Sequence, residues 1–259
     1  MHPDVVTARL TDLVAQAPGR VSVAVRARDG YRFDHDSARV VPAASTIKVP
    51  ILLAYLAAGL PWDLPVALPA TRVGGCGPLS LVPSVTSLPA GEALRLMIAL
   101  SDNDATNALL GLVGVGEVSR LLARAGTRHT VLRRRMMDPA AVAAGHENET
   151  SAADLAELLA ALRAGVLLPQ RETAMALAVM REQQFDEGLP AYLPEGVHCA
   201  SKTGSLPGVR HDIAVIECGE AWVSVACLAT ELMDGTVDRG TAIYGTYAAI
   251  GEAVAALVS

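Results

Sequence analysis

The sequence predicts a mixed α/β protein of the α+β kind. An antiparallel sheet is built from both chain termini and flanked by helices, with an all-helical lobe inserted between the two sheet-forming segments. Apolar residues alternate with period two near the start of the chain and again after Pro194, whereas between those regions they recur at helical spacing. The chain has 259 residues and 51% hydrophobic content, with no internal repeat, so it is long enough to bury a substantial core. The expected division is a discontinuous sheet domain, 1–42 together with 185–259, and a helical domain, 43–184.

The elements follow from spacing and punctuation. Asp4 to Ala17 places Val5, Val6, Leu10, Leu13 and Val14 on one helical stripe, which Gly19 ends. Arg20 to Ala27 alternates Val21, Val23 and Val25 with small or polar residues, and Asp29-Gly30 is a hairpin turn before Tyr31-Arg32-Phe33. The apolar run Val49 to Leu60 is a buried helix opened at Ser45 and closed by Pro61. Leu60 to Gly91, rich in Pro, Gly and Ser, reads as a long loop of the kind that is often functional in a compact protein. Helices follow at Glu92 to Leu100, Ala105 to Val113 and Glu117 to Ala125. Ser151-Ala152-Ala153-Asp154 reads as a capping box heading a helix to about Ala164, and Glu172 to Gln183 repeats the spacing. His198 to Thr203, Asp212 to Glu217 and Ala221 to Leu228 are rich in Val, Ile and Cys and read as strands. Thr241 to Leu257 is a closing helix.

Composition excludes several classes of function. A net charge of −6, with Arg133-Arg134-Arg135 as the only basic cluster, argues against nucleic acid as a partner. No apolar run is long enough to span a bilayer, and the start of the chain lacks the basic segment, apolar core and cleavage site of a secretory signal. The expectation is a cytoplasmic monomer with no membrane partner, or a secreted one if a signal has been removed. The four cysteines form no C-x-x-C pair and read as buried thiols. The six histidines show no metal-ligand spacing, so neither metal nor cofactor is expected.

The chemistry is concentrated in three short polar motifs set in apolar surroundings. In Ser45-Thr46-Ile47-Lys48 the hydroxyl and the amine fall on one helical face, a nucleophile beside its base, at a helix start whose free N–H groups favour a developing oxyanion. S-x-x-K alone is a weak signal, because a chain of this length contains roughly one by accident. Ser101-Asp102-Asn103 lies on a turn between helices, and Lys202-Thr203-Gly204 at the end of a strand. Each has an innocent reading, as a helix cap or a strand end. Their joint occurrence in this order and in these settings is far harder to reach by chance.

With these motifs the chain resembles class A β-lactamases and their relatives in the penicillin-binding serine hydrolase superfamily. The resemblance extends to the glycine-rich Gly75-Cys76-Gly77-Pro78-Leu79, to Ser101 through Leu110, and to Lys202 through Val215, so it covers nearly the whole chain. It implies a sheet of terminal strands beside a helical lobe with the site between them, and a small-molecule β-lactam or D-Ala-type amide or ester as substrate. Ser45 would form the acyl-enzyme and Lys48 would take its proton, which requires a neutral amine. The Lys48 pKa would then have to fall by about three units through burial and the charge of Lys202. Ser101 would relay the proton to the leaving nitrogen and Asn103 would hold the substrate amide. Lys202 and Thr203 would bind the substrate carboxylate, and Gly204 would let the strand edge come close. The backbone N–H groups of Ser45 and Ser205 would form the oxyanion hole. Arg210 resembles the arginine that assists carboxylate binding, after a one-residue adjustment of the alignment, and His211 reads as structural.

One segment departs from the family. Its Ω loop carries a glutamate and an asparagine that position the deacylating water, whereas this chain has Arg134-Arg135-Met136-Met137-Asp138-Pro139-Ala140-Ala141-Val142. Asp138 is the nearest equivalent of the glutamate but one methylene shorter, and its readings as general base and as structural residue both stand. Glu147 is a second candidate, with a cap or a salt bridge to Arg133–Arg135 as the favoured role. Three functions remain open: a serine β-lactamase with slow deacylation, a penicillin-binding-protein-like D-alanyl peptidase or esterase, and a non-catalytic β-lactam sensor.

Overall fold

The computed structural model describes residues 2–232 and 241–259. In chain order the elements are α1 (Pro3–Ala15), β1 (Arg20–Ala27), β2 (Arg32–His35), β3 (Val41–Pro42), a 3₁₀ turn (Ala44–Ile47) running into α2 (Lys48–Ala57), β4 (Pro65–Ala67), β5 (Ser87–Pro89), α3 (Ala90–Ala99), α4 (Asn103–Val113), α5 (Val115–Arg124), α6 (Pro139–Ala143), β6 (Glu149–Thr150), α7 (Ala152–Arg163), α8 (Gln170–Arg181), β7 (His198–Leu206), β8 (Val209–Cys218), β9 (Ala221–Thr230) and α9 (Ala242–Ala255). Of the expected sheet domain, Met1 and 233–240 lie outside the described residues.

The main sheet has the order β2-β1-β9-β8-β7, with every neighbouring pair antiparallel. The two ends of the sequence meet where β1 pairs with β9, from Arg20↔Thr230 to Ala27↔Val223. β7 and β8 form a hairpin closed by Pro207 and Gly208, the latter at φ 68°, as a type II turn requires. Alternation along the strands sends Val23, Val25, Ala214, Ile216 and Val225 to the face covered by α1 and α9. Ala24, Ile213, Val215, Ala226 and Leu228 go to the opposite face, into a larger core that α2, α3, α4, α7 and α8 complete.

α2 is the centre of that core. Every residue from Lys48 to Leu56 is buried, including Val49, Ile51, Leu52 and Leu53 at 0% exposure. Each such aliphatic side chain contributes about 1.5–3 kcal/mol. Pro50 is accommodated because it lies in the first turn, where its missing N–H has no intrahelical partner to lose.

Local structure departs from the sequence expectation in a few places. The 60–91 segment is not all loop: β4 and β5 pair as a small ribbon, Val66↔Leu88 at its centre, and α3 begins at Ala90. Ser45 lies on the 3₁₀ turn, three residues before the α-helix proper. Ser151 caps α7 by accepting from the Asp154 amide, but the reciprocal half of the capping box is absent. The Asp154 carboxylate instead accepts from the amides of Arg128, His129 and Thr130 and from the Thr130 hydroxyl. Those donors lie more than twenty residues away, where no local pattern points to them. Of the cysteines, all free, only Cys227 is fully buried; Cys76, Cys199 and Cys218 are half-buried.

Candidate active site

A cavity of about 530 Å³ opens where the 3₁₀ turn, the α3–α4 junction, the 134–148 loop and β7 come together. Ser45, Ser101, Asn103, Asp138, Thr203 and Ser205 line it. Lys48 and Lys202 are fully buried behind this surface, and Gly204 and Arg210 are not part of the lining. Three of the five described non-glycine residues with positive φ also line it: Ala44 at 47°, Ser101 at 55° and Met137 at 55°. Each such conformation costs on the order of 1–3 kcal/mol, and such strain clusters at functional sites because the surroundings must enforce it.

Ser101 owes its place to Asp102, which ends the preceding turn and caps α4. One carboxylate oxygen accepts from the Ala105 amide at 2.8 Å and the other from the Leu79 amide at 2.9 Å, so the S-D-N turn is tied to the glycine-rich loop. Gly77 faces Asp102 so closely that an added Cβ would lie 2.2 Å from its carboxylate. Asp104 accepts from the amides of Val73 and Gly74, and the Asn103 amide group donates to the Gly74 carbonyl at 2.8 Å. The loop expected from composition alone is thus held by three consecutive polar residues, Asp102 and Asn103 of the motif and Asp104 after it.

The Lys48 Nζ donates to the Ser101 carbonyl at 2.6 Å, to the Ser101 Oγ at 3.1 Å and to the Asn103 Oδ1 at 2.8 Å. These acceptors match the three protons of an ammonium. Burial, and next the charge of Lys202, bring its pKa down from 10.5 to about 7, so ammonium and neutral amine are both accessible near neutrality. When the amine is neutral, the Ser101 hydroxyl can reverse its role and donate to Nζ. Lys202 lies in the middle of β7, which runs on past the K-T-G motif to Leu206 instead of ending there as the sequence suggested; it donates to the Thr203 carbonyl at 3.0 Å, and burial lowers it to about 8.

β7 runs against the 3₁₀ turn. A Cβ at Gly204 would stand 3.1 Å from the Ser45 amide nitrogen and 3.1 Å from the Ala44 Cβ, so only glycine lets the strand edge approach the nucleophile this closely. Arg210, opposite Ser205 in the hairpin, donates to the Leu206 and Val209 carbonyls, both at 2.8 Å. His211 is buried and donates from Nε2 to the Pro42 carbonyl at 2.8 Å. Burial holds it neutral, with a pKa lowered to about 4, so it braces the approach to Ser45.

The 134–148 loop is closed at its neck by residues that sequence reasoning did not single out. Asn148, buried, accepts from the Arg133 and Arg134 amides at 2.8 and 3.0 Å and donates to the Arg134 carbonyl at 3.1 Å. Its own carbonyl accepts from the Ala43 amide at 2.7 Å, two residues before the nucleophile. Asn107 holds Met136 by both amide and carbonyl. Glu147 pairs with Arg134, the salt bridge favoured for it from sequence, and Arg133 pairs with Glu149. Asp138 Oδ1 accepts from the Ala141 amide at 2.9 Å and caps α6, while the residue also lines the cavity.

A further signal was present in the sequence. The chain has only two lysines, Lys48 and Lys202, against nineteen arginines, and both lie buried at this site. A side chain used twice in 259 residues, both times inside a polar motif, marks the site without reference to any pattern.

A model described as the β-lactamase enzyme family matches residues 5–255. The chain belongs to this family. Among solved structures it is similar to the β-lactamase from Sphaerobacter thermophilus DSM 20745, with 29% identity, 100% of each chain covered and a TM-score of 0.87. It is similar to PBP-A at 25% identity, covering 98% of this chain and 97% of that one, TM-score 0.83. A mutant of PBP-A is known as an acyl-enzyme complex with penicillin G. A β-lactamase from Xanthomonas campestris pv. campestris str. ATCC 33913, 24% identical with 99% and 98% covered, shares the fold at a TM-score of 0.84. No curated protein matches the chain. The β-lactamase family thus supplies a serine hydrolase framework for the cavity. Among the described residues no cluster of acidic, cysteine or histidine side chains could hold a metal, and no helix is long and apolar enough to cross a membrane.

Proposed function

We propose that this β-lactamase-family hydrolase is a class A-like enzyme that opens a β-lactam ring through an acyl-enzyme at Ser45. The observation that carries the reading is the contact of the Lys48 amine with the Ser101 hydroxyl, beneath the cavity that Ser45 and Thr203 line. Neutral Lys48 takes the Ser45 proton as Oγ bonds to the lactam carbonyl carbon. The Ser45 and Ser205 amides hold the oxyanion, a contribution of about 3–4 kcal/mol per donor. As the C–N bond breaks, the proton passes from Lys48 through Ser101 to the departing nitrogen. Lys202 and Thr203 take the substrate carboxylate, with Arg210 assisting from behind the hairpin. Asn103 Oδ1, already an acceptor for Lys48, keeps a second lone pair for a substrate amide. The site falls between the segments 1–42 with 185–259 and 43–184, which we take as the two lobes. A monomer is sufficient for it.

Deacylation is assigned to water activated by the Asp138 carboxylate oxygen that does not cap α6. The capping bond of the other oxygen favours slow turnover, and with it the second reading, a D-alanyl peptidase or esterase without a dedicated base. Intact-protein mass measurement after mixing with a penicillin and a chromogenic cephalosporin tests these alternatives. Turnover with a transient adduct at Ser45 supports the β-lactamase. A lasting adduct supports the second reading, and reversible binding without an adduct would mark a sensor and overturn both.

A further inference from the structure

His211 lies on β8 directly opposite Gly204 of the K-T-G strand, so the two residues share one face of the sheet. Both meet the segment that leads into the nucleophile turn. The His211 Nε2–H donates to the Pro42 carbonyl at 2.8 Å, and a Cβ at Gly204 would stand 3.1 Å from the Ser45 amide nitrogen and 3.2 Å from the Thr46 Cγ2. Further along the same face of β8 the side chains are the buried aliphatics Ile213 and Val215. A fully buried imidazole in that row is expensive unless hydrogen-bonded, and the Pro42 carbonyl meets the need. What an aliphatic residue at this place would lack is the donor.

The chain between Pro42 and Ser45 is strained. Ala44 has φ 47°, which an alanine keeps only where its surroundings enforce it. The Ala43 amide donates to the Asn148 carbonyl at 2.7 Å, and the Ala43 carbonyl accepts from the Thr46 amide at 3.2 Å and the Thr46 hydroxyl at 2.6 Å. Those bonds hold the turn from within the 43–184 segment. His211 ties the same turn to the sheet, beside the strand that carries Ser205.

We infer that His211 is a positioning residue for acylation: by bonding the Pro42 carbonyl it fixes the nucleophile turn against β7 and so sets the separation of the Ser45 and Ser205 amides that receive the oxyanion. The inference rests on the role given above to those amides. They belong to different elements, a 3₁₀ turn and a strand, so a bond between turn and sheet is what keeps them in register. A misplacement of about 1 Å costs on the order of a hundredfold in rate. The Pro42 carbonyl can only accept, so the ring carries its proton on Nε2. Burial lowers its pKa from 6.5 to about 4, with the Arg39 charge adding to the effect, so the bond stays the same while Lys48 and Lys202 change charge.

The test uses the full chain and a penicillin labelled with ¹³C at the lactam carbonyl. His211→Phe keeps a ring in the core and removes the donor, whereas His211→Gln keeps a donor near the Nε2 position. In the phenylalanine variant kcat and kcat/KM for acylation should fall together by about a hundredfold, as for an interaction made in the transition state. The acyl-enzyme carbonyl band should move to higher wavenumber in difference infrared spectra, because a displaced amide polarises the carbonyl less. The glutamine variant should recover most of both. His211→Leu takes the place of His211→Phe if the latter does not fold. In the parent alone, ¹⁵N spectra should show the neutral Nε2–H tautomer, since the Nδ1–H form cannot donate to Pro42. A parent-like rate or an unmoved carbonyl band in the folded variant without a donor would overturn the proposal. So would a glutamine variant no better than phenylalanine, or the Nδ1–H tautomer in the parent. If the parent forms no acyl-enzyme, the Ser45 reading fails, while the Ser45 and Ser205 amide resonances, displaced in His211→Phe and restored in His211→Gln, still decide this one.

Discussion

Lowering the pH should switch the acylation step off in a way the site geometry sets. With the Lys48 pKa at about 7, half the amine is neutral at that pH and ~1% at pH 5, so acylation should drop roughly fiftyfold between them. An amine left at 10.5 would be neutral in only ~0.03% of molecules at pH 7. The acylation rate would then be on the order of 10³ lower, equivalent to about 4–5 kcal/mol on the barrier. The alkaline side has its own limit. As Lys202 loses its proton through about 8, the ammonium that receives the substrate carboxylate is lost, so acylation should pass through a maximum between the two values. Because the lysines interact, the two limbs report the pair. The assay is stopped-flow acylation by a chromogenic cephalosporin from pH 5 to 10, read as kcat/KM to report the free enzyme. A rate that climbs tenfold per unit through pH 9 without a break would refute Lys48 as the base, since it would require an amine titrating near its ordinary value.

Further predictions separate the roles of neighbouring groups. Asp138→Asn retains the cap on Ala141 but cannot accept a proton, so deacylation should slow by ~10²–10⁴ with melting temperature unchanged; equal turnover would remove Asp138 as the base. Gly204→Ala places a methyl 3.1 Å from the Ser45 amide nitrogen. It should lower acylation by about a hundredfold while leaving the far-ultraviolet dichroism intact, and an unaltered rate would show that the strand edge need not approach so closely. Asn148→Ala removes three hydrogen bonds at the loop neck and should destabilise the protein by roughly 2–4 kcal/mol in urea unfolding. A loss under about 0.5 kcal/mol would show that the neck holds without it.

The parts of the site that were legible in sequence are those whose chemistry is local. Ser45 and Lys48 are three residues apart on one turn, Asp102 caps the helix it begins, and the outer parts of β7 and β8 are announced by their Val, Ile and Cys content, although the strands run on to Leu206 and Val209 and meet at a Pro-Gly turn. The unread parts depend on contacts between distant residues. Asp154 looked like half of a local cap because its spacing from Ser151 was right, yet its oxygens serve amides at 128–130. Asn148 and Asn107 look like ordinary loop and helix residues until the 134–148 segment folds back onto them. Strands β3 and β6, two residues each, are too short for any alternation to register. Asp138 was left between two readings, and its bond to Ala141 shows why sequence could not choose: one carboxylate has an oxygen for each role.

The distribution of basic side chains has a practical outcome. Guanidinium groups stay protonated at any working pH and do not attack strained amides, whereas a free amine does. With arginine supplying the positive charge everywhere but at Lys48 and Lys202, the outer surface offers a lactam no lysine to acylate. Covalently added drug molecules counted by mass would then be free of the surface-lysine labelling that complicates such counts on lysine-rich proteins.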